Sequence, residues 1–135
     1  MSLTREFKIR VQYRDTDAMG IVHHSNYVNF CEVARTEILR EMGLSYKEME
    51  RDGVSLPVRE VKMTYLSPAF YDDLITVRLT IEKMPTAKIT FFHEIFNEQG
   101  TLLNKGEIIL VFANDKTLKP CHAPENFVRL LSQNF

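Results

Sequence analysis

Alternation of apolar and polar residues predicts five β-strands along this chain. The clearest run spans residues 75–82, where apolar side chains occupy every second position. The predicted strands cover residues 7–13, 56–65, 75–82, 88–96 and a last segment that ends at Ala113. The apolar positions change parity near Arg59 and Glu60, so we expect a bulge there that re-aims the second strand.

One long helix is predicted between the first two strands. Its apolar residues recur at helical spacing: Tyr27, Cys31, Ala34, Ile38 and Met42. Four further apolar residues widen this face: Val28, Phe30, Val33 and Leu39. We therefore expect the helix to be covered on most sides. Ser25 is the expected N-cap and Gly43 the residue that ends the helix. Shorter helical segments are predicted over 45–52 and 125–133.

The order of these elements indicates an α+β fold. One strand precedes the long helix and four strands follow it, which suits an antiparallel sheet curled around a single helix. The length of 135 residues is typical of one domain, and we expect residues 1–135 to form it. The run 108–112 is apolar on both faces of its strand, which favours cover by the helix on one face and by a second subunit on the other.

Composition and charge argue against several classes of function. Hydrophobic residues make up 44% and charged residues 26% of the chain, as in soluble globular proteins. Seventeen Lys and Arg against 18 Asp and Glu give a formal charge of −1, which argues against a nucleic-acid partner. No apolar stretch approaches the roughly 20 residues of a membrane span, and the expected compartment is the cytoplasm. Cys31 and Cys121 form no disulfide framework, so we expect two free thiols.

The densest polar cluster lies between the first strand and the long helix, over residues 13–27. A helix N-terminus presents unpaired backbone N–H groups and a positive dipole end, which can polarise a carbonyl or hold an oxyanion. Asp17 offers a carboxylate that can activate water or attack a carbon, and the N–H near His24 offers the donor. Gly20 allows a close backbone approach. Together these residue types indicate acyl-transfer chemistry.

Three other interpretations of this loop stay open from the residues alone. In the first, the aspartates form turns and the histidines cap the helix. In the second, a transition metal is bound by His23, His24, Asp15 and Asp17, although neighbouring histidines usually point apart. In the third, Ser25 is the nucleophile of a Ser-His-Asp triad, although no GxSxG elbow is present.

The loop and the helix also carry a specific motif. Residues 13–35, YRDTDAMGIVHHSNYVNFCEVAR, contain a DTD, a G-I-V, a histidine, an N-Y and an E-x-A-R in fixed order. This stretch resembles the signature of hotdog-fold acyl-CoA thioesterases of the 4-hydroxybenzoyl-CoA thioesterase type, most of all the branch associated with the Tol–Pal system (YbgC-type). The resemblance continues through Val58-Arg59, residues 65–69, Asp72-Asp73 and residues 102–104, up to about Pro124.

The resemblance implies a hotdog fold, in which a five-stranded antiparallel sheet curls around one long central helix. It implies hydrolysis of acyl-CoA to a free acid and coenzyme A. Asp17 matches the family's catalytic carboxylate, as nucleophile or general base, and the His24 backbone N–H matches the donor to the thioester carbonyl. Tyr13 and the His24 side chain are implied to line the site, and Asn26 and Tyr27 to shape it. No metal or cofactor is implied, because coenzyme A belongs to the substrate.

Partners follow partly from the residues and partly from the resemblance. Arg59 is the cation that we favour for binding the coenzyme A phosphates. The resemblance implies a homodimer or a dimer of dimers, with the site between two subunits and the sheets joined edge to edge. An acyl carrier protein is the alternative carrier of the acyl group. Two alternative functions are a hotdog dehydratase, which the DTD loop argues against, and a non-catalytic module that binds acyl-CoA or acyl carrier protein.

Overall fold

The computed structural model describes residues 2–135. These residues form three α-helices and seven strands. In chain order they are β1 (Leu3–Arg10), α1 (Asn26–Glu41), α2 (Tyr46–Arg51), β2 (Val54–Ser55), β3 (Val58–Tyr65), β4 (Leu74–Ile81), β5 (Lys88–Phe96), β6 (Leu102–Val111), β7 (Ala113–Asn114) and α3 (Glu125–Ser132). No helix within residues 2–135 is long and apolar enough to cross a bilayer.

Five strands form one antiparallel sheet in the order β1-β4-β5-β6-β3. Helix α1 packs on the β1 and β4 side of this sheet, so the predicted α+β architecture is confirmed. The bulge predicted near Arg59 is also confirmed, as a register shift between Val58 and Glu60 in the β3–β6 pair. Strands β2 and β7 form a separate two-stranded sheet. Alternation does not predict that sheet, because each of its strands has only two residues.

Buried and half-buried side chains alternate along the central strands, so one face of the sheet packs against the core. The buried side chains of β4 are Ile75, Val77, Leu79 and Ile81. In β6, Ile108 and Leu110 are buried, while Ile109 and Val111 are half-buried on the other face. The last long strand ends at Val111 instead of Ala113, because the chain begins the separate β7 pairing at that point.

One stripe of α1 faces the core. Its buried residues are Tyr27, Phe30, Cys31, Ala34, Arg35, Ile38 and Leu39. The expectation that the helix would be covered on most sides is wrong, because Val33 on another face is 46% exposed. Gly43 follows the helix with a φ of 84°, as expected for a glycine that ends a helix. Ser25 occupies the N-cap position, but its hydroxyl lies 2.8 Å from His23 Nδ1 and caps no backbone N–H.

The first strand ends earlier than the alternation predicts. It stops at Arg10, and Tyr13 lies in a 3-10 turn with 75% of its surface exposed. The physical reason is local, because the Gln12 N–H donates to the Asp15 carboxylate over 2.8 Å and closes the chain into a turn. The ring of Tyr13 stacks on Tyr71, with centroids 4.2 Å apart.

A polar pair is buried among the apolar residues of the sheet. His93 is 3% exposed and Asn104 is fully buried, and His93 Nε2 lies 2.9 Å from Asn104 Oδ1. His93 Nδ1 and Asn104 Nδ2 have no partner within the described residues. Burial lowers the pKa of His93 below its usual value. The hydrogen bond to Asn104 acts in the opposite direction, but its effect on the pKa is smaller than that of burial.

We expect the stability of the protein to depend on the protonation of His93. Because the pKa of His93 is lowered in the folded state, the unfolded chain, with a pKa of about 6.5, binds the proton first as pH falls. The free energy of unfolding therefore decreases below about pH 6.5, and this loss stops below the folded-state pKa. Between about pH 8 and about pH 5, the melting temperature of the native protein should decrease more than that of His93→Gln. Equal pH dependence in the two proteins would contradict this assignment.

Candidate active site

Two short β-bridges hold the loop before α1. Thr16 pairs with Val22, and Ile21 pairs with Phe70 from the segment between β3 and β4. Within the loop, the Asp17 N–H donates to the Ile21 carbonyl over 2.8 Å. These contacts turn the chain back on itself between the DTD motif and the helix.

Asp15 organises this loop through both its backbone and its side chain. Its carbonyl accepts from the His23 N–H over 2.9 Å and from Asn26 Nδ2 over 2.8 Å. Its carboxylate accepts from the Gln12 N–H over 2.8 Å. The first residue of α1 is therefore tied to the first acid of the DTD motif, which fixes the start of the helix relative to the loop.

The backbone N–H of His24 points away from the body of α1. The preceding carbonyl, that of His23, accepts from the Asn26 N–H over 2.9 Å. In a planar trans peptide the C=O and the following N–H point in opposite directions, so the His24 N–H faces outward from the helix start. No acceptor within residues 2–135 takes this N–H. The helix dipole adds positive potential there, so the N–H is available to a ligand carbonyl or oxyanion.

A cavity of about 380 Å³ opens at this end of the helix. Among its lining residues are Asp17, Val22, His24, Tyr27, Tyr65 and Leu66. Its volume falls within the range of small-molecule sites, roughly 300–1,000 Å³. The lining combines one carboxylate with mainly apolar and aromatic surface, which suits an acyl group attached to a polar reacting centre.

The Asp17 carboxylate is oriented by its own loop. Its Oδ1 accepts from the Met19 N–H over 2.8 Å, which fixes the side chain in an Asx turn. No donor within residues 2–135 forms a hydrogen bond to its Oδ2. The turn interpretation and the acyl-transfer interpretation therefore apply to the same residue, because one oxygen orients the carboxylate and the other is available for chemistry.

Three rings form one wall of the cavity. Tyr65 meets Tyr27 edge to face with centroids 5.5 Å apart, and it meets His24 edge to face at 6.4 Å. Burial raises the pKa of the Tyr27 phenol, and its hydroxyl oxygen accepts from the Ala69 N–H over 3.3 Å. The sequence did not identify Tyr65 as a site residue. The signal that could have done so is strand parity, which places Tyr65 with Met63 on the inner face of β3.

The predicted site residues do not all meet in one protomer. The cavity unites Asp17, His24 and Tyr27. Tyr13 lies outside it, exposed in the 3-10 turn. The Asn26 side chain also lies outside it and holds the Asp15 carbonyl. Arg59 is exposed at the bulge of β3 and is not among the cavity residues.

The two histidines of the loop do not point apart. The rings of His23 and His24 lie with centroids 4.2 Å apart and an interplanar angle of 33°. Within residues 2–135, however, no group of three or more His, Cys, Asp or Glu side chains is placed to hold a metal ion. The metal interpretation therefore lacks a ligand set. The triad interpretation lacks its acid, because His23 meets Ser25 but no carboxylate of the described residues.

The cysteines offer no alternative nucleophile. Both Cys31 and Cys121 are free thiols, as predicted. Burial raises the pKa of the Cys31 thiol to about 12, so this side chain stays protonated at neutral pH. Neither cysteine lines the cavity.

A larger concavity of about 520 Å³ lies on the outer face of the sheet. Several of its charged side chains pair with neighbouring charges: Arg78 lies 2.8 Å from Glu6 and 3.7 Å from Glu94, and Lys62 lies 3.7 Å from Glu107. Exposed, mutually paired charges are typical of a solvated sheet surface. We therefore place the candidate site at the helix N-terminus.

The chain is similar to known proteins along almost its whole length. Residues 11–131 match the family model described as the thioesterase-like superfamily. The chain is 36% identical over 125 residues to the acyl-CoA thioester hydrolase YbgC of Escherichia coli, and the aligned region covers 93% of each protein. The structure of DHNA-CoA thioesterase from Staphylococcus aureus superposes with a TM-score of 0.90 at 30% identity, over 96% of this chain and 89% of that one.

A fourth match bears on the fold alone. A 4-hydroxybenzoyl CoA thioesterase mutant, complexed with 4-hydroxybenzoyl CoA, superposes with a TM-score of 0.83 at 20% identity, over 94% of this chain and 97% of that one. The hotdog architecture implied by the DTD motif and its surroundings is thereby confirmed.

Proposed function

Because the chain belongs to the thioesterase-like superfamily, we propose that it hydrolyses acyl-CoA thioesters to a free acid and coenzyme A. The observation that carries this proposal is the cavity at the helix N-terminus, which holds the Asp17 carboxylate and adjoins the unpartnered N–H of His24. A nucleophile or base and an oxyanion donor are the groups that hydrolysis of a thioester needs. The name of the YbgC relative, acyl-CoA thioester hydrolase, supports the same substrate class.

In the proposed mechanism, the thioester carbonyl oxygen accepts a hydrogen bond from the His24 N–H. This contact and the helix dipole stabilise the negative charge that develops on the oxygen during attack. A single donor of this kind is worth about 10²–10³ in rate in other enzymes. The apolar wall formed by Val22, Tyr27 and Leu66 holds the acyl group beside the donor.

Asp17 then acts on the carbonyl carbon by one of two routes. As a general base, its free Oδ2 takes a proton from water, whose oxygen bonds to the carbonyl carbon. As a nucleophile, Oδ2 forms an anhydride that water cleaves. Both routes break the C–S bond, release coenzyme A as a thiolate that takes up a proton, and leave the acyl group as a carboxylate. Oxygen-18 from water enters the Asp17 carboxylate only when water cleaves an anhydride at the Asp17 carbonyl, so detection of this label by mass spectrometry after a single turnover identifies the nucleophilic route.

We further propose that two copies of the chain join along β3. This strand lies at the edge of the sheet and, among the described residues, pairs with β6 alone; Val61 at its middle is 42% exposed. An unpaired strand edge is a template for another strand, so two copies would form one continuous sheet. Arg59 is exposed on this strand, so its guanidinium can meet coenzyme A phosphates bound across the interface.

Sedimentation of the native protein tests this assembly. We expect a mass of about twice the 15.8 kDa of one chain for a dimer, or about four times that mass for a dimer of dimers. Val61→Lys places a charge at the centre of the proposed interface and should shift the mass toward that of a monomer. The matched control, Val33→Lys on the exposed side of α1, should leave the assembly intact. A native protein that sediments as a monomer would contradict the proposal.

Release of free thiol from a panel of short, long and aromatic acyl-CoAs tests the proposed activity. We expect turnover of at least one of these classes, and the same acyl group on an acyl carrier protein shows which thiol carrier is preferred. Tight binding without thiol release would favour the non-catalytic module. Conversion of a 3-hydroxyacyl thioester to an enoyl thioester, with the thiol retained, would favour the dehydratase.

A further inference from the structure

The Tyr65 hydroxyl contacts the backbone at the start of α1. It donates to the backbone carbonyl of His24 over 3.1 Å, across 41 residues of sequence. Its other neighbour is the Met63 sulfur at 3.9 Å, a weak acceptor. The carbonyl of the residue that supplies the oxyanion donor is therefore held by a side chain from the far end of β3.

This contact completes the fixation of two consecutive peptide groups. The His23 carbonyl, in the first peptide, accepts from the Asn26 N–H over 2.9 Å. In the second peptide, the His24 carbonyl is held by Tyr65, and the Ser25 N–H donates to His23 Nδ1 over 3.3 Å. Because peptide groups are planar, fixing both of them leaves the His24 N–H little freedom to turn away from the cavity.

The hydroxyl also changes the electrostatics beside the donor. A free His24 carbonyl would present a partial negative charge close to the oxyanion that forms during attack. The Tyr65 hydroxyl covers that oxygen with a hydrogen-bond donor. The Tyr65 ring is held in turn by its edge-to-face contacts with Tyr27 and His24, so the hydroxyl is placed before any ligand binds.

We propose that Tyr65 is a positioning residue, whose hydroxyl locks the peptide that follows His24 and keeps the His24 N–H aimed at the thioester carbonyl. This inference rests on the proposed function of the cavity. Tyr65 acts through the backbone of His24, and its hydroxyl takes part in no bond that forms or breaks during the reaction.

Tyr65→Phe tests the inference, because it removes the hydroxyl and keeps the ring. We expect kcat for thiol release to fall roughly three- to tenfold, the value of one neutral hydrogen bond, while KM changes by less than about twofold. The matched control is Tyr71→Phe, which removes the hydroxyl of a half-exposed tyrosine that lies outside the cavity. The control should keep native kcat, and thermal unfolding verifies that both variants fold.

Two stable coenzyme A analogues distinguish positioning of the His24 N–H from a merely structural role of Tyr65. The first is a ketone, in which a methylene separates the sulfur from the carbonyl, and the second is a thioether without the carbonyl. We expect Tyr65→Phe to shift the C=O stretch of the bound ketone to higher frequency, because a misaligned His24 N–H polarises that carbonyl less. Binding of both analogues should change by less than about twofold, as expected for KM. An unchanged C=O stretch, or a larger and equal loss of binding for both analogues, would overturn the inference.

Asp17→Asn in the same assays separates failure of this inference from failure of the proposed function. If Asp17→Asn loses hydrolysis while Tyr65→Phe keeps native kinetics, the proposed function is supported. The proposed role of Tyr65 is then wrong. Absence of thiol release from the native protein would instead overturn the proposed function itself.

Discussion

Asp17→Asn should fold normally and lose hydrolysis. The amide keeps an oxygen that can accept from the Met19 N–H, so the Asx turn survives the change. An amide is neither a base nor a nucleophile toward a thioester, and positioned acid–base catalysis contributes about 10²–10⁴ in rate. We therefore expect kcat for thiol release to fall at least about 100-fold. KM should change much less, because the apolar contacts with the acyl group remain.

The matched control for this variant is Asp115→Asn, the same change at an exposed carboxylate after β7. It should retain native kcat, since Asp115 does not line the cavity. Circular dichroism and thermal unfolding establish that both variants are folded. Hydrolysis that survives in a folded Asp17→Asn would remove Asp17 from the mechanism and would leave the His24 N–H without its proposed catalytic partner.

Gly106→Ala should have the largest effect on stability. Gly106 lies in β6, opposite Met63 of β3 and His93 of β5. A Cβ at this position would lie 1.9 Å from the Lys62 carbonyl oxygen and 3.1 Å from His93 Cε1. The oxygen belongs to the backbone and cannot rotate away, so β3 and β6 must separate. We expect a loss of roughly 3 kcal/mol or more in the free energy of unfolding, because overpacking on this scale forces the backbone to move.

Thermal unfolding measures this effect, with an expected decrease in Tm of about 10 °C. Gly100→Ala is an informative control, because its Cβ would meet nothing within 4 Å and only its φ of +81° is unfavourable. It should cost about 1 kcal/mol. A Gly106→Ala protein as stable as Gly100→Ala would show that the β3–β6 pair does not have the spacing described above.

Local patterns predicted most of the fold. The period of two in β4 and β5 and the helical spacing in α1 arise from burial of one face, which a sequence records directly. The shift of parity near Arg59 similarly located the bulge in β3. The end of β1 was predicted too late because the side-chain hydrogen bond of Asp15, which closes the turn, leaves no mark on hydrophobic periodicity.

The site was predictable only in part, for a related reason. Asp17 and His24 lie within one loop, so their proximity follows from the motif and from the helix start. Tyr65 reaches His24 across 41 residues, and no local pattern encodes that contact. The motif implies that Asn26 shapes the site, and in the structure its side chain bonds to the loop backbone outside the cavity. Arg59 lies on the β3 edge of the sheet, and the role that we propose for it depends on a second copy of the chain.

We expect this protein to hydrolyse a thioester with water. The most direct test is product analysis in oxygen-18 water, over many turnovers of an acyl-CoA that the native protein accepts. We predict one free thiol and one free acid for each thioester consumed, with solvent oxygen in the carboxylate of the acid. Recovery of intact acyl-CoA bound to the protein, or of a modified acyl group still attached to coenzyme A, would contradict this prediction.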